Sequence, residues 1–156
     1  MSYWPVVFIV LAIAMVVGPI MIMKPSRRDQ RLASLRQKAA SLGLQVRMSD
    51  YEGRATAVYS FPVDLPKNTP AWQLLKQSYS HGIHFHGRWQ LLENSAKVPT
   101  GLENTIKHYI DNLYDDVVGI EVDKKAVRLW WLENPKAETV EDIQESLKQL
   151  YKAIAE

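Results

Sequence analysis

The chain has 156 residues, of which 47% are hydrophobic, and it contains no cysteine. The missing thiol excludes disulfides, thiolate metal sites and cysteine nucleophiles. The formal charge of +2 is unevenly spread: residues 24–38 carry six basic residues and one acid, whereas residues 39–156 carry more acids than bases. Nucleic-acid binding needs a broad basic patch, so this distribution argues against a nucleic-acid partner.

An uncharged apolar run from Val6 to Met23 opens the chain. Its length is close to the ~20 residues that a helix needs to cross a bilayer, and the basic residues follow it. A signal peptide has the opposite charge order and a small-residue cleavage site. We therefore expect residues 1–24 to form a retained transmembrane anchor. A cleaved signal peptide and a buried core helix are the alternatives.

Basic residues beside a membrane span stay on the cytoplasmic side. Their placement predicts a single-pass protein of a bacterial inner membrane, with the amino terminus outside and the carboxy-terminal domain in the cytoplasm. Ala14 and Gly18 form a small-xxx-small pair that would let another helix approach closely; ordinary lipid-facing positions are the alternative. The residues expected at the membrane interfaces are Tyr3, Trp4, Lys24, Arg27, Arg28 and Arg31.

After the anchor we expect a basic juxtamembrane helix over residues 25–42 and an α+β domain over residues 43–156. Alternating apolar and polar residues predict a β-hairpin over residues 44–61. Thr69-Pro70 has the form of a helix start, which predicts a helix over residues 70–79. The alternation over residues 83–91 predicts a long strand.

The second half of the domain is predicted to contain two capped helices and a hairpin. Thr100 to Glu103 has the capping-box pattern, apolar residues over 118–131 favour two paired strands, and Thr139 caps a last helix. The predicted fold class is α+β: an N-terminal transmembrane helix, then one cytoplasmic domain of order α-β-β-α-β-α-β-β-α. We expect a mostly antiparallel, five-stranded sheet with packed helices.

His84 and His86 are the strongest candidates for chemistry. Two apart on a predicted strand, they would project to one face and offer two imidazoles to a zinc or iron ion. A third ligand, such as His81 or an acid, would be needed. The alternative is that the polar face of a half-buried strand holds histidines without a metal.

The run Asp115-Asp116 with Asp123 and Lys125 faintly matches the acids and lysine of metal-dependent nucleases, but turn formation also explains Asp123. The sequence has no nucleophile elbow, P-loop, dinucleotide fingerprint or HExxH motif, and we expect no cofactor. Most tryptophans lie on predicted core faces. Trp130 is the exception, because its side chain could face outward and anchor a partner.

The segment Met-Ile-Met-Lys-Pro-Ser-Arg-Arg, followed by a basic helix, resembles small bacterial inner-membrane accessory proteins. Residues 4–40 are similar in layout to the YajC-type subunit of the protein translocase. The resulting hypothesis is a non-catalytic, membrane-tethered adaptor or accessory subunit of an inner-membrane complex, with the lipid bilayer and other membrane proteins as partners and no nucleic acid. The alternative is a metal-dependent enzyme that uses His84 and His86.

Overall fold

The computed structural model describes residues 3–22, 25–80, 82, 84–134 and 138–155. The chain forms two compact units, Met1–Ser34 and Leu35–Glu156. Helix α1 spans Trp4–Ile22 and helix α2 spans Arg27–Ser41, so the boundary between the units falls inside α2. The sequence had placed the start of the main domain at residue 43.

The predicted transmembrane anchor is wrong for the part of the chain that the structure describes, where no helix combines the length and the apolar character needed to cross a bilayer. The predicted single-pass topology and inner-membrane localisation depended on this anchor, and the structure does not support them.

The residues assigned to membrane interfaces lose that role, because it required a span. Trp4 begins α1 and its ring lies 6.4 Å from that of Phe8. Arg27, Arg28 and Arg31 lie exposed in the first turns of α2, and Lys24 falls outside the described residues. Ala14 and Gly18 lie on α1, and a Cβ atom added to Gly18 would meet nothing within 4 Å.

The main unit is built on an antiparallel sheet of six strands in the order β1-β2-β6-β5-β3-β4. Both predicted hairpins are present, as β1–β2 and β5–β6. The strands span Gln45–Tyr51 (β1), Arg54–Pro62 (β2), Trp72–Lys76 (β3), Trp89–Leu91 (β4), Val117–Asp123 (β5) and Ala126–Trp131 (β6).

The helix predicted over residues 70–79 is wrong, because this segment forms β3. Trp72 and Leu74 are buried and pair with Val122 and Ile120 of β5. Pairing with an apolar neighbour strand outweighs the local helix-start signal of Thr69-Pro70. The sheet therefore has six strands instead of five, and the long strand predicted over residues 83–91 is reduced to β4.

Two more helices complete the unit, α3 over Glu103–Asp111 and α4 over Val140–Ala155. The capping box of α4 forms as predicted: the Thr139 hydroxyl accepts the Asp142 N–H, and Asp142 accepts the Thr139 N–H at 2.8 Å. The box predicted at Thr100 does not form, because the N-cap of α3 is Leu102 and makes no side-chain bond.

The helices of the main unit bury their apolar residues against one face of the sheet, here called the covered face. One continuous core joins Ile106 of α3 and Leu147 of α4 to Tyr59, Ile120 and Trp131 of the strands. Ala39 of α2 belongs to the same core. The opposite side, here called the open face, carries the alternate strand residues.

A buried ion pair holds the end of α2 to the sheet. Arg36 donates two hydrogen bonds to Glu133, whose side chain is only 5% exposed, and Tyr59 donates a third at 2.9 Å. The bond to Glu133 raises the pKa of Arg36, and burial raises the pKa of Tyr59, as does the adjacent Glu133 carboxylate. A buried carboxylate tolerates this position only with such partners.

We expect Leu147→Ala to lower the free energy of unfolding by about 2–5 kcal/mol, because Leu147 is fully buried in the core and truncation leaves a cavity. Denaturant melts measure this loss. The matched control Glu145→Ala, on the exposed side of the same helix, should change stability by less than about 0.5 kcal/mol. Equal losses in the two variants would show that α4 is not part of the core.

Candidate binding site on the open face of the sheet

A row of paired residues crosses the open face through all six strands. Trp130 of β6 stands in the middle of this row, between Val58 of β2 and Gly119 of β5. Leu75 continues the row beyond Gly119. Paired residues of an antiparallel sheet point to the same side. In strand order the row is Arg47, Val58, Trp130, Gly119, Leu75 and Gln90.

Gly119 lets the indole of Trp130 lie directly on the sheet. A Cβ atom at Gly119 would lie 2.8 Å from Cγ of Trp130 and 3.0 Å from Cδ2 of Leu75. The pairing of β5 with β6 also shifts register between Val117 and Gly119. A glycine inside a strand often marks such a close approach, so the pair Val118-Gly119 was a signal in the sequence.

The platform around Trp130 is apolar but separate from the main core. Val58 and Val118 are 1% and 5% exposed, yet neither belongs to the core cluster of the covered face. The indole Nε1 of Trp130 is buried and has no hydrogen-bond partner among the described residues. The sequence-based expectation that Trp130 points away from the main core is confirmed.

A cavity of about 410 Å³ lies where this platform meets the β1–β2 turn. We call it the arginine cavity, because Arg54 and Arg88 line it and neither has an ion-pair partner among the described residues. Its full lining is Tyr51, Glu52, Arg54, Lys76, Gln77, Ser78, Arg88, Asp115, Val118 and Leu132.

Two further features define the electrostatics of the arginine cavity. Lys76 donates to the carbonyl of Asp115 at 2.9 Å and pairs with its carboxylate at 3.3 Å, so this lysine is already neutralised. Burial raises the pKa of the Tyr51 phenol and Glu52 adds to the shift, whereas Arg54 and Arg88 oppose it.

The predicted metal ligands His84 and His86 do not share a strand. His86 forms an isolated bridge with Trp89 across a turn at Gly87, which has a φ of 55°. Its Nε2 atom lies 2.7 Å from Asp111 Oδ1, and Nδ1 of His84 lies 3.3 Å from the carbonyl of Gly87. His81 falls outside the described residues. Where the structure is described, no three His, Cys, Asp or Glu residues are grouped to hold a metal.

The nuclease-like acids are not brought together. Asp123 accepts the N–H groups of Lys125 and Ala126 and stabilises the β5–β6 turn. Asp116 and Asp115 precede the other end of β5, seven and eight residues before Asp123. At ~3.4 Å per residue the two ends are about 20 Å apart.

Sequence reasoning missed the buried acid Glu138. It is 8% exposed and accepts a bond from Nε1 of Trp131 at 3.2 Å. Burial raises the pKa of this carboxyl and the Trp131 bond opposes the shift, while nearby Asp116 and Asp142 raise it further. Nothing in the pattern around Pro135 indicates that this acid is enclosed.

Comparison of the chain with protein-family models, with curated proteins and with solved structures found no match. The layout similarity to translocase accessory subunits therefore stays a prediction.

We expect Gly119→Ala to lower stability by about 1–3 kcal/mol, because the new methyl group would force Trp130 off the sheet. The cost should shrink when Trp130 is already alanine, since the clash is then removed. Denaturant melts of the four chains in this double-mutant cycle measure the coupling. Equal costs in both backgrounds would contradict the close packing.

Glu138→Gln should stabilise the protein relative to wild type at pH 7 but not at pH 4. The folded state raises the pKa of Glu138, so it holds the proton more tightly than the unfolded chain. The folded state is therefore destabilised as the pH rises from the ordinary pKa of a glutamate through the higher pKa of Glu138 in the fold. Glutamine does not titrate, so the variant escapes this loss of stability. Melts across this pH range, with Glu145→Gln as the exposed control, test the sign.

Proposed function

We propose that this chain is a non-catalytic adaptor that binds a partner protein through the open face of its sheet. The observation that carries the proposal is the placement of Trp130, spread over Gly119 with a buried, unpaired Nε1 atom. Large aromatic side chains in desolvated surroundings are common anchors of protein interfaces. The membrane tether of the sequence-based hypothesis is not part of this proposal.

The surroundings of Trp130 have the composition of an interface. Apolar groups stand at the centre, and the exposed side chains of Arg47, Arg54 and Arg88 stand around them. An apolar centre with a polar rim, enriched in tryptophan and arginine, is typical of protein–protein contacts. The opposite side of the sheet is already occupied by helices.

The geometry of His84 and His86 gives weaker support to the alternative of a metal-dependent enzyme. His86 is oriented by Asp111, as metal-binding histidines often are, and this pair favours the metal-dependent alternative. However, His84 bonds to a backbone carbonyl and does not share a regular strand face with His86.

The test compares capture of proteins from a cell extract by the wild-type chain, Trp130→Ala and Met48→Ala. Met48 is also a large, exposed apolar residue, and its pairing with Ala57 places it on the other side of the sheet. We expect one protein to be retained by wild type and Met48→Ala and to be lost, about tenfold or more, by Trp130→Ala. Melts of each variant check that the fold is kept.

Two outcomes would contradict the adaptor. One is identical capture by all three chains. The other is stoichiometric zinc, iron or manganese in the purified protein that disappears in a His84→Ala/His86→Ala variant, which would support the metal-dependent enzyme instead.

A further inference from the structure

We infer that the arginine cavity binds carboxylate side chains from an acidic segment of the partner protein. This inference rests on the proposed function and names the chemistry of the partner. The cavity shares Val118 with the apolar surface beside Trp130. One extended segment could therefore place an apolar side chain on Trp130 and an acidic one in the cavity.

The charge of the cavity supports an anionic ligand. Lys76 and Asp115 neutralise each other, so the groups that remain are Arg54, Arg88 and the single acid Glu52. Guanidinium groups match the planar geometry of carboxylates and donate to both oxygens. Because both side chains are exposed and form no ion pair among the described residues, an anion can bind without breaking one.

Tyr51 adds a neutral donor to the same cavity. A phenol is protonated at neutral pH and donates one hydrogen bond, and Tyr51 lines this cavity. Two cationic side chains and one hydroxyl that line the same cavity are suited to bind a carboxylate.

A peptide fits these observations better than a nucleic acid. Residues 39–156 carry more acids than bases, and single-stranded nucleic acids need a continuous basic groove with several stacking aromatics. The open face presents one central tryptophan and only a local group of arginines.

The test measures binding of a fluorescently labelled oligoglutamate peptide to the full chain by anisotropy. We expect saturable binding that is weakened about tenfold or more in Arg54→Gln/Arg88→Gln, since charge-assisted bonds are lost. The control Lys67→Gln/Lys97→Gln removes the same charge from exposed positions outside the cavity. It should bind as wild type does.

Several results would overturn the inference. These are no binding to wild type, equal weakening in the control, or no weakening in the arginine variant. Tighter binding of a single-stranded oligonucleotide that is lost in the same variant would assign the cavity to nucleic acid. Binding of inorganic phosphate at the arginines without binding of oligoglutamate would reduce it to a small-anion site.

The two proposals fail in different ways. If the partner protein is captured through Trp130 but is unaffected by Arg54→Gln/Arg88→Gln, the carboxylate site is wrong and the adaptor stands. If oligoglutamate binds at the arginines but Trp130→Ala changes no capture, the adaptor is wrong and the anion site stands.

Discussion

One-sided burial of the sheet is the constraint on which the rest of the main unit depends. Its three helices pack their apolar residues into a single core on the covered face, so among the described residues of this unit the other face has to be covered without them. Trp130 of β6 supplies part of that cover. Its indole lies across Gly119 and contributes apolar cover beside Val58 and Val118. The same side chain that protects the open face is therefore the one available for a partner.

The buried ion pair between Arg36 and Glu133 adds specificity to this arrangement. Glu133 follows β6 with a positive φ of 52°, a conformation that non-glycine residues rarely adopt. Three hydrogen bonds to its carboxylate, two from Arg36 and one from Tyr59, stabilise that conformation. Removing one partner of a buried pair costs more than the pair contributes. Loss of Arg36 is therefore expected to cost more stability than the intact pair contributes.

Sequence patterns predicted the parts of the fold whose local and long-range signals agree. The two hairpins, α2 and α4 have matching periodicity, turns or caps, and all are present. The helix prediction over residues 70–79 was wrong because the alternation of Trp72 and Leu74 favours a strand only when these residues pair with β5. Trp130 was identified in advance, but the arginine cavity was not, because Arg54 and Arg88 meet only after the sheet is assembled. Burial of Glu133 and Glu138 likewise depends on contacts between distant elements, and the apolar run at the start was wrongly read as a membrane span.

The strand order has a consequence for how the chain folds. Inside the sheet β2 pairs with β6, and the Tyr59 hydroxyl donates to Glu133 across 74 positions of sequence. Closing a loop of that length costs chain entropy before any contact compensates for it, and such non-local pairing slows folding. The two hairpins can form early because their strands are adjacent in sequence. Their union joins Arg47 and Val58 to Trp130 and Gly119, so the centre of the proposed binding surface depends on this non-local pairing.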